Sequence, residues 1–344
     1  MVYHYSTHHY QRDTSPLTIM IKSPILYLVG LLLILNMSAC QQTPPIKSKD
    51  WLGWGKSTIP TPTNRQCFLT APTKPRTKST VFMLAAGADT ENLTETSTDI
   101  NNFSQIVQRH FNIPNTQICK LTNAFKAELE NALHSIKQHL INNDLVIIYF
   151  SGHGSQIADD NGDERDGWDE ALVTYDIKGK SNDDVKATDI LRDDRFTALV
   201  NALPTDKILT VMDTCFSSGM YLKKSSSNSL LAKARSKFLV KGEIGTQAPR
   251  LQTNSAIKNE NGNFDPLKGL LLAAAAENEK ALEIPNQGGL FTIEFVQQLK
   301  KLGDIKPAFE QAAQQVKEKT QNGKFQQTPP SESGLKVRVV KNGN

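Results

Sequence analysis

Three short, mostly apolar runs constrain the fold of this chain more than any other feature of its sequence. They are Thr80–Ala86, Leu145–Phe150 and Ile208–Met212. Runs without polar alternation are typical of strands that are covered on both faces, as in parallel sheets flanked by helices. The pattern therefore predicts three buried strands of one mostly parallel sheet.

Stretches with helical spacing of apolar residues separate and follow these runs. We predict helices over Thr98–Phe111, Ala124–Ile141, Thr188–Leu203, Gly289–Leu302 and Ile305–Thr320. We also predict strands at Gln117–Leu121 and Leu335–Val340, while Gly269–Ala276 fits either a strand or a helix. Alternation of buried strands with amphipathic helices indicates an α/β domain.

The N-terminal region has the features of an export signal. Pro24–Leu35 is an unbroken nonpolar run of twelve residues preceded by Lys22, whereas a membrane-spanning helix needs about 20 residues. The run ends in Met37–Cys40, which resembles the bacterial lipobox and implies lipid attachment at Cys40. We predict a signal peptide over 1–39, with 1–19 as an over-extended start. An ordinary signal peptide cut at a small residue is the alternative.

Export sets the expected location and redox state of the mature chain. A tether over 40–78 would hold the domain on the membrane through the lipid, at the cell envelope of a bacterium, on the outer membrane or the periplasmic face. Cys67, Cys119 and Cys215 then remain in an oxidising compartment. Because three is an odd number, one thiol stays free, and pairing of Cys67 with Cys119 is one option.

The overall charge excludes two classes of protein. Lysine and arginine number 39 against 35 aspartate and glutamate residues, which gives a net charge of +4. This balance does not fit a nucleic-acid-binding protein or a polybasic membrane binder.

Two residues with nucleophilic or acid–base chemistry follow two of the predicted strands. His153 comes shortly after Leu145–Phe150, and Cys215 follows Ile208–Met212. Carboxyl ends of parallel strands meet at one rim of a sheet, so we expect both side chains to face one cleft. A thiolate attacks carbonyls and an imidazole accepts its proton, while the N–H groups of Gly154 and Cys215 would stabilise the oxyanion. The alternative is an inert buried cysteine and a structural histidine.

The segments around these residues resemble a known family. Tyr149–Gln156 and Asp213–Gly219 are similar to the two active-site segments of metacaspases, in the clan of caspase-like cysteine peptidases, and Asp163–Leu172 resembles the acidic stretch between them. The resemblance extends from about Thr80 to Pro329. It implies a three-layer α/β/α sandwich over 79–344, with Cys215 as nucleophile and His153 as base.

One residue departs from the metacaspase pattern. Phe216 stands directly after the nucleophile, where metacaspases usually have histidine. This departure supports an alternative function, in which the fold has lost catalysis and acts as an envelope scaffold or binding module.

The resemblance also implies cleavage after arginine or lysine in protein or peptide substrates. Asp99 matches the family's Asn-Asp segment, Ser151 would complete the pocket, and Asp213 lies two residues before Cys215. Two carboxylates in a partly dry pocket favour a guanidinium group. For Asp99, the alternative is an acid that complements a helix dipole.

Many metacaspases are activated by calcium, and the matching positions are Asp169, Asp193 and Asp194. No aspartate follows the nucleophile closely, and the Cys–His pair itself requires no cofactor. Asp159–Glu170 is spaced like an EF-hand loop, but Glu164 occupies the position that needs glycine. A solvated acidic loop is the alternative.

A long insertion over 217–265 is rich in serine, lysine, asparagine and glycine, which predicts a mobile segment. Its basic residues are Lys223, Lys224, Lys233, Arg235, Lys237 and Lys241. The resemblance implies self-cutting in this linker, because a basic, exposed loop is a natural self-substrate for an enzyme that cuts after arginine or lysine. A flexible solubilising loop is the alternative.

Overall fold

The computed structural model describes the region that holds the predicted strands and helices. The described residues are 61, 65, 67, 76–159, 167–215, 231–245, 267–276, 279–321, 327, 329 and 331–333. The strands, numbered in chain order, are β1 (Val81–Gly87), β2 (Ile118–Thr122), β3 (Leu145–Ser151), β4 (Gly154–Ala158), β5 (Trp168–Leu172), β6 (Leu191–Arg192), β7 (Ile208–Asp213), β8 (Arg235–Ser236), β9 (Leu270–Ala273), β10 (Leu282–Ile284), β11 (Gly288–Gly289) and β12 (Ser331–Ser333). The α-helices are α1 (Thr96–Phe111), α2 (Lys126–Lys137), α3 (Asp193–Asn201), α4 (Leu290–Leu302) and α5 (Ile305–Gln321).

The central sheet has the order β12-β9-β7-β3-β1-β2. Pairing is parallel between β2 and β1, β1 and β3, β3 and β7, and β7 and β9. At the edge of the sheet, β12 pairs antiparallel with β9. The predicted α/β class with a mostly parallel sheet is confirmed. The ambiguous stretch Gly269–Ala276 forms strand β9, and the predicted helix over Thr188–Leu203 is limited to α3.

Alternate side chains along the strands pack into two hydrophobic cores, one on each face of the sheet. Met83 and Ala85 of β1 pack on the face covered by α1, α4 and α5, whereas Phe82 and Leu84 pack on the face covered by α2 and α3. The period of two along each strand explains this division. The resulting three-layer α/β/α sandwich agrees with the predicted architecture.

The register of the sheet aligns the carboxyl ends of β1, β3 and β7, which precede the candidate catalytic residues. Ser151 at the end of β3 is paired with Gly87 of β1 on one side and with Asp213 of β7 on the other. The segments that carry His153 and Cys215 therefore leave the sheet side by side.

Two small sheets lie outside the central one, and the sequence patterns did not predict them. They have the strand orders β4-β5-β6 and β11-β10-β8. Strand β8 belongs to the insertion that was expected to be mobile. That expectation is wrong for residues 231–245, because Leu231, Lys237, Leu239 and Ile244 are buried there.

A disulfide joins Cys67 to Cys119 of β2, with the two Cα atoms 5.5 Å apart, and Cys215 is a free thiol. Several predictions fall outside the described residues: the signal peptide, the lipidated Cys40, nearly all of the tether, residues 160–166 of the acidic stretch, Phe216 and the strand over Leu335–Val340. Within the described part, no helix combines the length and apolar character that crossing a bilayer requires.

Candidate active site

The structure brings the two motif segments into backbone contact at one rim of the sheet. The Gly152 N–H donates to the Asp213 carbonyl at 3.3 Å. A Cβ atom built on Gly154 would lie 1.5 Å from the Cys215 carbonyl oxygen. Only glycine permits this approach, which holds the loops that carry His153 and Cys215 together.

Both side chains of the proposed dyad are buried, so the expectation of an open cleft is wrong for this form of the chain. His153 is 1% exposed and Cys215 is 0% exposed. The polar surroundings of the thiol show that it is not simply embedded in hydrocarbon. Its Sγ accepts the Ala281 N–H at 3.0 Å, donates to the Ala281 carbonyl at 3.4 Å and lies 4.0 Å from Ser236 Oγ.

Burial sets the charge state of the pair. Desolvation raises the pKa of the Cys215 thiol to about 12, although the hydrogen bond from the Ala281 backbone acts in the opposite direction. Desolvation also lowers the pKa of His153 to about 4. Because burial disfavours the charged form of each group, thiol and imidazole are both neutral at pH 7 in this form.

A residue that the sequence analysis missed orients the imidazole. His153 Nε2 lies 3.2 Å from Asn92 Oδ1 in the loop after β1. An amide oxygen can only accept, so this contact places the proton on Nε2. His153 Nδ1 then carries the free lone pair, and it has no hydrogen-bond partner. Asn92 follows a strand end on the same rim, which is the signal that could have identified it.

Replacing Asn92 by aspartate is expected to raise the pKa of His153. A carboxylate beside Nε2 would favour the imidazolium, by about 1 pH unit or more at such a distance. NMR titration of the histidine Cε1 protons measures the change. An unchanged His153 titration in this variant would contradict the orienting role of Asn92.

The three residues predicted to form a substrate pocket lie together. Ser151 Oγ donates to Asp99 Oδ2 at 2.7 Å, and Ser151 pairs in register with Asp213. All three are fully buried. Asp99 lies in the first turn of α1, where its carboxylate also complements the helix dipole, and its role in substrate binding stays a prediction.

The start of α4 donates hydrogen bonds to both carboxylates of this group. The Gly289 N–H donates to Asp99 Oδ1 at 2.8 Å, and Thr292 Oγ1 donates to Asp213 Oδ2 at 2.6 Å. A Cβ on Gly289 would lie 1.9 Å from Asp213 Oδ2, so glycine is needed for the approach. The contacts fix the directions of both carboxylates.

The cation in the pocket comes from the chain itself. Lys237 Nζ lies 3.1 Å from Asp213 Oδ1, 3.3 Å from Asp99 Oδ2 and 2.9 Å from Ser151 Oγ. Burial alone would lower the pKa of Lys237, but the two carboxylates outweigh it and the net pKa is raised. Burial raises the pKa of Asp99 to about 6, against the opposing effect of Lys237.

The predicted oxyanion donor at Gly154 is engaged in this form. Its N–H donates to the carbonyl oxygen of the same Lys237, at 2.8 Å. This N–H is therefore aimed at a peptide carbonyl, as an oxyanion donor must be. The role of the Cys215 N–H stays a prediction.

The three aspartates predicted to bind calcium do not form a metal centre here. Asp169 is buried and its Oδ2 is ion-paired with Arg192, while Asp193 and Asp194 lie in the first turn of α3. Among the described residues, no group of three or more histidine, cysteine, aspartate or glutamate side chains could hold a metal ion. Arg192 is therefore the partner that the structure shows for Asp169, and calcium binding by these three aspartates stays a prediction.

Comparisons with known proteins agree with this geometry. The family described as Caspase domain matches residues 81–340. Metacaspase-1A of Aspergillus oryzae is 29% identical over 128 residues, which are 35% of this chain and 29% of that protein. Metacaspase-1 of Cryptococcus neoformans is 36% identical over 93 residues, which are 27% of this chain and 19% of that protein.

The matched region spans less than a third of the length of these relatives. Among solved structures, a Geobacter sulfurreducens protein superposes with a TM-score of 0.52 at 18% identity, covering 74% of this chain and 93% of that one. At this identity the likeness concerns the fold alone.

Proposed function

Because the chain belongs to the Caspase domain family, we propose that it is a cysteine endopeptidase that cuts peptide bonds after arginine or lysine. One observation carries the proposal. A fully buried ammonium group lies between Asp99, Ser151 and Asp213, beside the loops of His153 and Cys215. The pocket thus accommodates a basic side chain next to a thiol and an imidazole.

In the proposed reaction each group has a part. His153 Nδ1 accepts the thiol proton, and the Cys215 sulfur attacks the carbonyl carbon of the substrate. The Gly154 N–H, together with that of Cys215, donates to the developing oxyanion, and a donor of this kind contributes about 2.7–4 kcal/mol. The imidazolium then protonates the leaving amine.

The pocket selects cations through paired charges. Two buried carboxylates would repel each other without a partner, and a buried charge needs a counter-charge and hydrogen bonds. Asp99 and Asp213 supply the negative charge, and Ser151 Oγ supplies a hydrogen-bonding oxygen. An acidic side chain would bring a third negative charge into the same enclosed space.

A panel of fluorogenic peptides tests this proposal. We expect kcat/KM for peptides with arginine or lysine at the cut site to exceed that for aspartate by about 100-fold or more, because the acidic side chain meets two carboxylates. Citrulline peptides match arginine in shape without its charge and serve as the control. Equal turnover of arginine and aspartate peptides would contradict the basic specificity, and absence of turnover for every peptide would favour the scaffold alternative.

The same panel, run with calcium chloride and with EDTA, separates catalysis from calcium stimulation. The proposed steps use only side chains and backbone of this chain, so we expect turnover to persist in EDTA. Loss of turnover in EDTA that calcium restores would show that the enzyme needs the ion.

The proposal includes export and self-processing. The disulfide between Cys67 and Cys119 supports an oxidising compartment, since disulfides persist mainly outside the cytosol. Attachment to the cell envelope through lipid on Cys40 rests on the lipobox pattern alone. Self-processing within 217–265 is supported by the contact of Lys237 with the pocket.

A further inference from the structure

The ammonium group of Lys237 shows which shape of cation the pocket accommodates. Its Nζ lies 2.9 Å from Ser151 Oγ and 3.3 Å from Asp99 Oδ2. It also lies 3.1 Å from Asp213 Oδ1 and donates to the Asp213 carbonyl at 3.2 Å. These oxygens belong to three residues on two elements and surround a single nitrogen. Such an arrangement suits a lysine ammonium, which is a compact charge with three donors, better than a planar guanidinium.

Neither carboxylate of the pocket offers both of its oxygens to a cation. Asp213 Oδ1 lies beside Lys237 Nζ, but Oδ2 accepts the Thr292 Oγ1 hydroxyl at 2.6 Å and the Thr292 N–H at 3.3 Å. In the same way, Asp99 Oδ2 lies beside the ammonium, while Oδ1 accepts the Gly289 N–H at 2.8 Å. An arginine fork uses two oxygens of one carboxylate for its paired hydrogen bonds. The pocket therefore lacks the partner that arginine binds best.

Tyr149 holds the Thr292 hydroxyl in its direction. The side-chain oxygens of the two residues lie 2.7 Å apart, and both side chains are buried. Because the Thr292 proton is donated to the Asp213 carboxylate, which only accepts, the Tyr149 hydroxyl donates to Thr292. The Tyr149 ring also stacks on Phe103 of α1, with the ring centroids 4.1 Å apart. Tyr149 thus connects α1, which carries Asp99, to the start of α4.

The start of α4 also limits the space around the ammonium group. A Cβ atom built on Gly289 would lie 2.6 Å from Lys237 Nζ, so the backbone of Gly289 borders the cation directly. The Lys237 side chain is fully buried in this enclosure. A guanidinium is a larger, planar group. Arginine in the same position would therefore require the start of α4 to move.

From these contacts we infer that the pocket selects lysine over arginine at the cut site, and that Thr292, held by Tyr149, is the positioning residue that sets this preference. The inference deepens the proposed function and rests on it, because the pocket is a substrate site only if the chain is a peptidase. It differs from the guanidinium preference expected from two carboxylates, since each carboxylate already has one oxygen engaged by α4 or its N-cap.

Fluorogenic peptides that differ only in lysine or arginine at the cut site test the inference. We expect kcat/KM of the natural chain to be about 10-fold or more higher for lysine, because the arginine fork would lack partners in an enclosed site. Equal values, or a higher value for arginine, would overturn the inference and leave the peptidase intact. Absence of turnover for every peptide would overturn the proposed function, and the inference with it.

Three variants connect the preference to Thr292. Thr292→Val removes the hydroxyl from Asp213 Oδ2 and makes that oxygen available to a fork, so we expect the lysine-to-arginine ratio to fall to about 1 or below. Thr292→Ser keeps the hydroxyl and should keep the ratio of the natural chain. Thr320→Val is the control, because Thr320 is also buried but its hydroxyl donates to the Val316 carbonyl within α5. A merely structural role of Thr292 would lower turnover of both peptides together and leave the ratio unchanged.

Tyr149→Phe gives an independent measurement that does not alter Thr292. It removes the donor to the Thr292 hydroxyl and keeps the stacked ring, so the lysine-to-arginine ratio should fall in the same direction as in Thr292→Val. This variant also answers the question if Thr292→Val does not fold. A ratio equal to that of the natural chain in every folded variant of Thr292 and Tyr149 would overturn the role assigned to the two hydroxyls.

Discussion

Replacing Cys215 by alanine is expected to abolish hydrolysis of arginine and lysine peptides, lowering kcat/KM by about 10⁴-fold or more. The sulfur is the group that forms the covalent bond, and no other free thiol lies in the described part of the chain. Alanine removes the sulfur that accepts the buried Ala281 N–H, so we expect it to lower the free energy of unfolding by about 1–3 kcal/mol, and the variant's folding is checked alongside. Initial rates with a fluorogenic arginine peptide measure the effect.

Matched variants separate chemistry from structure. His153→Ala should lower kcat/KM by about 10²–10⁴-fold, the usual contribution of an acid–base group, whereas His134→Ala on α2 should leave it unchanged. If Cys215→Ala hydrolysed the peptide at the rate of the natural chain, the nucleophile would be a different residue and the assignment would fail.

Replacing Gly154 by alanine is expected to eliminate activity and to destabilise the fold. The added Cβ would lie 1.5 Å from the Cys215 carbonyl oxygen and 2.8 Å from Thr214 Oγ1. Since backbone cannot move away as a flexible side chain can, the loops of His153 and Cys215 must separate. Overpacking of this kind typically costs about 1–3 kcal/mol, occasionally more. Chemical denaturation and peptide turnover measure the two effects.

Gly303→Ala provides the matched control for this change. Gly303 caps α4 with φ of +64°, and a Cβ there would have no neighbour within 4 Å. The left-handed backbone should cost about 1–2 kcal/mol, with kcat/KM unaffected. If Gly154→Ala hydrolysed the peptide at the rate of the natural chain, the contact between the two loops would not be required for catalysis.

The main architecture was predictable because the central strands are apolar along their whole length. The runs at Thr80–Ala86, Leu145–Phe150 and Ile208–Met212 match β1, β3 and β7 closely, and parallel pairing places their ends on one rim. The small sheets were not predictable in the same way. Strand β8 is two residues long and its partner β10 lies more than 40 residues further along the chain, so no local pattern marks either strand.

The candidate site was predictable where its residues immediately follow a buried strand. Ser151 and Asp213 are the last residues of β3 and β7, and His153 and Cys215 come two residues after them. Asn92 stands five residues beyond the end of β1 and Lys237 lies in the insertion, so the course of the chain up to each of them depends on tertiary contacts. In the sequence, Lys237 is one of several basic residues in a polar insertion. The composition of that insertion does not indicate that the Lys237 side chain is fully buried.

The order of strands in the central sheet has a consequence for the processed enzyme. Strands β7 and β9 are neighbours in the sheet, yet the insertion with Lys237 separates them in the chain. A cut within this insertion would therefore yield two polypeptides whose strands still share hydrogen bonds and one core. The mature form would be a noncovalent pair of subunits, in which the larger contributes the thiol and imidazole and the smaller contributes β9, β10 and α4.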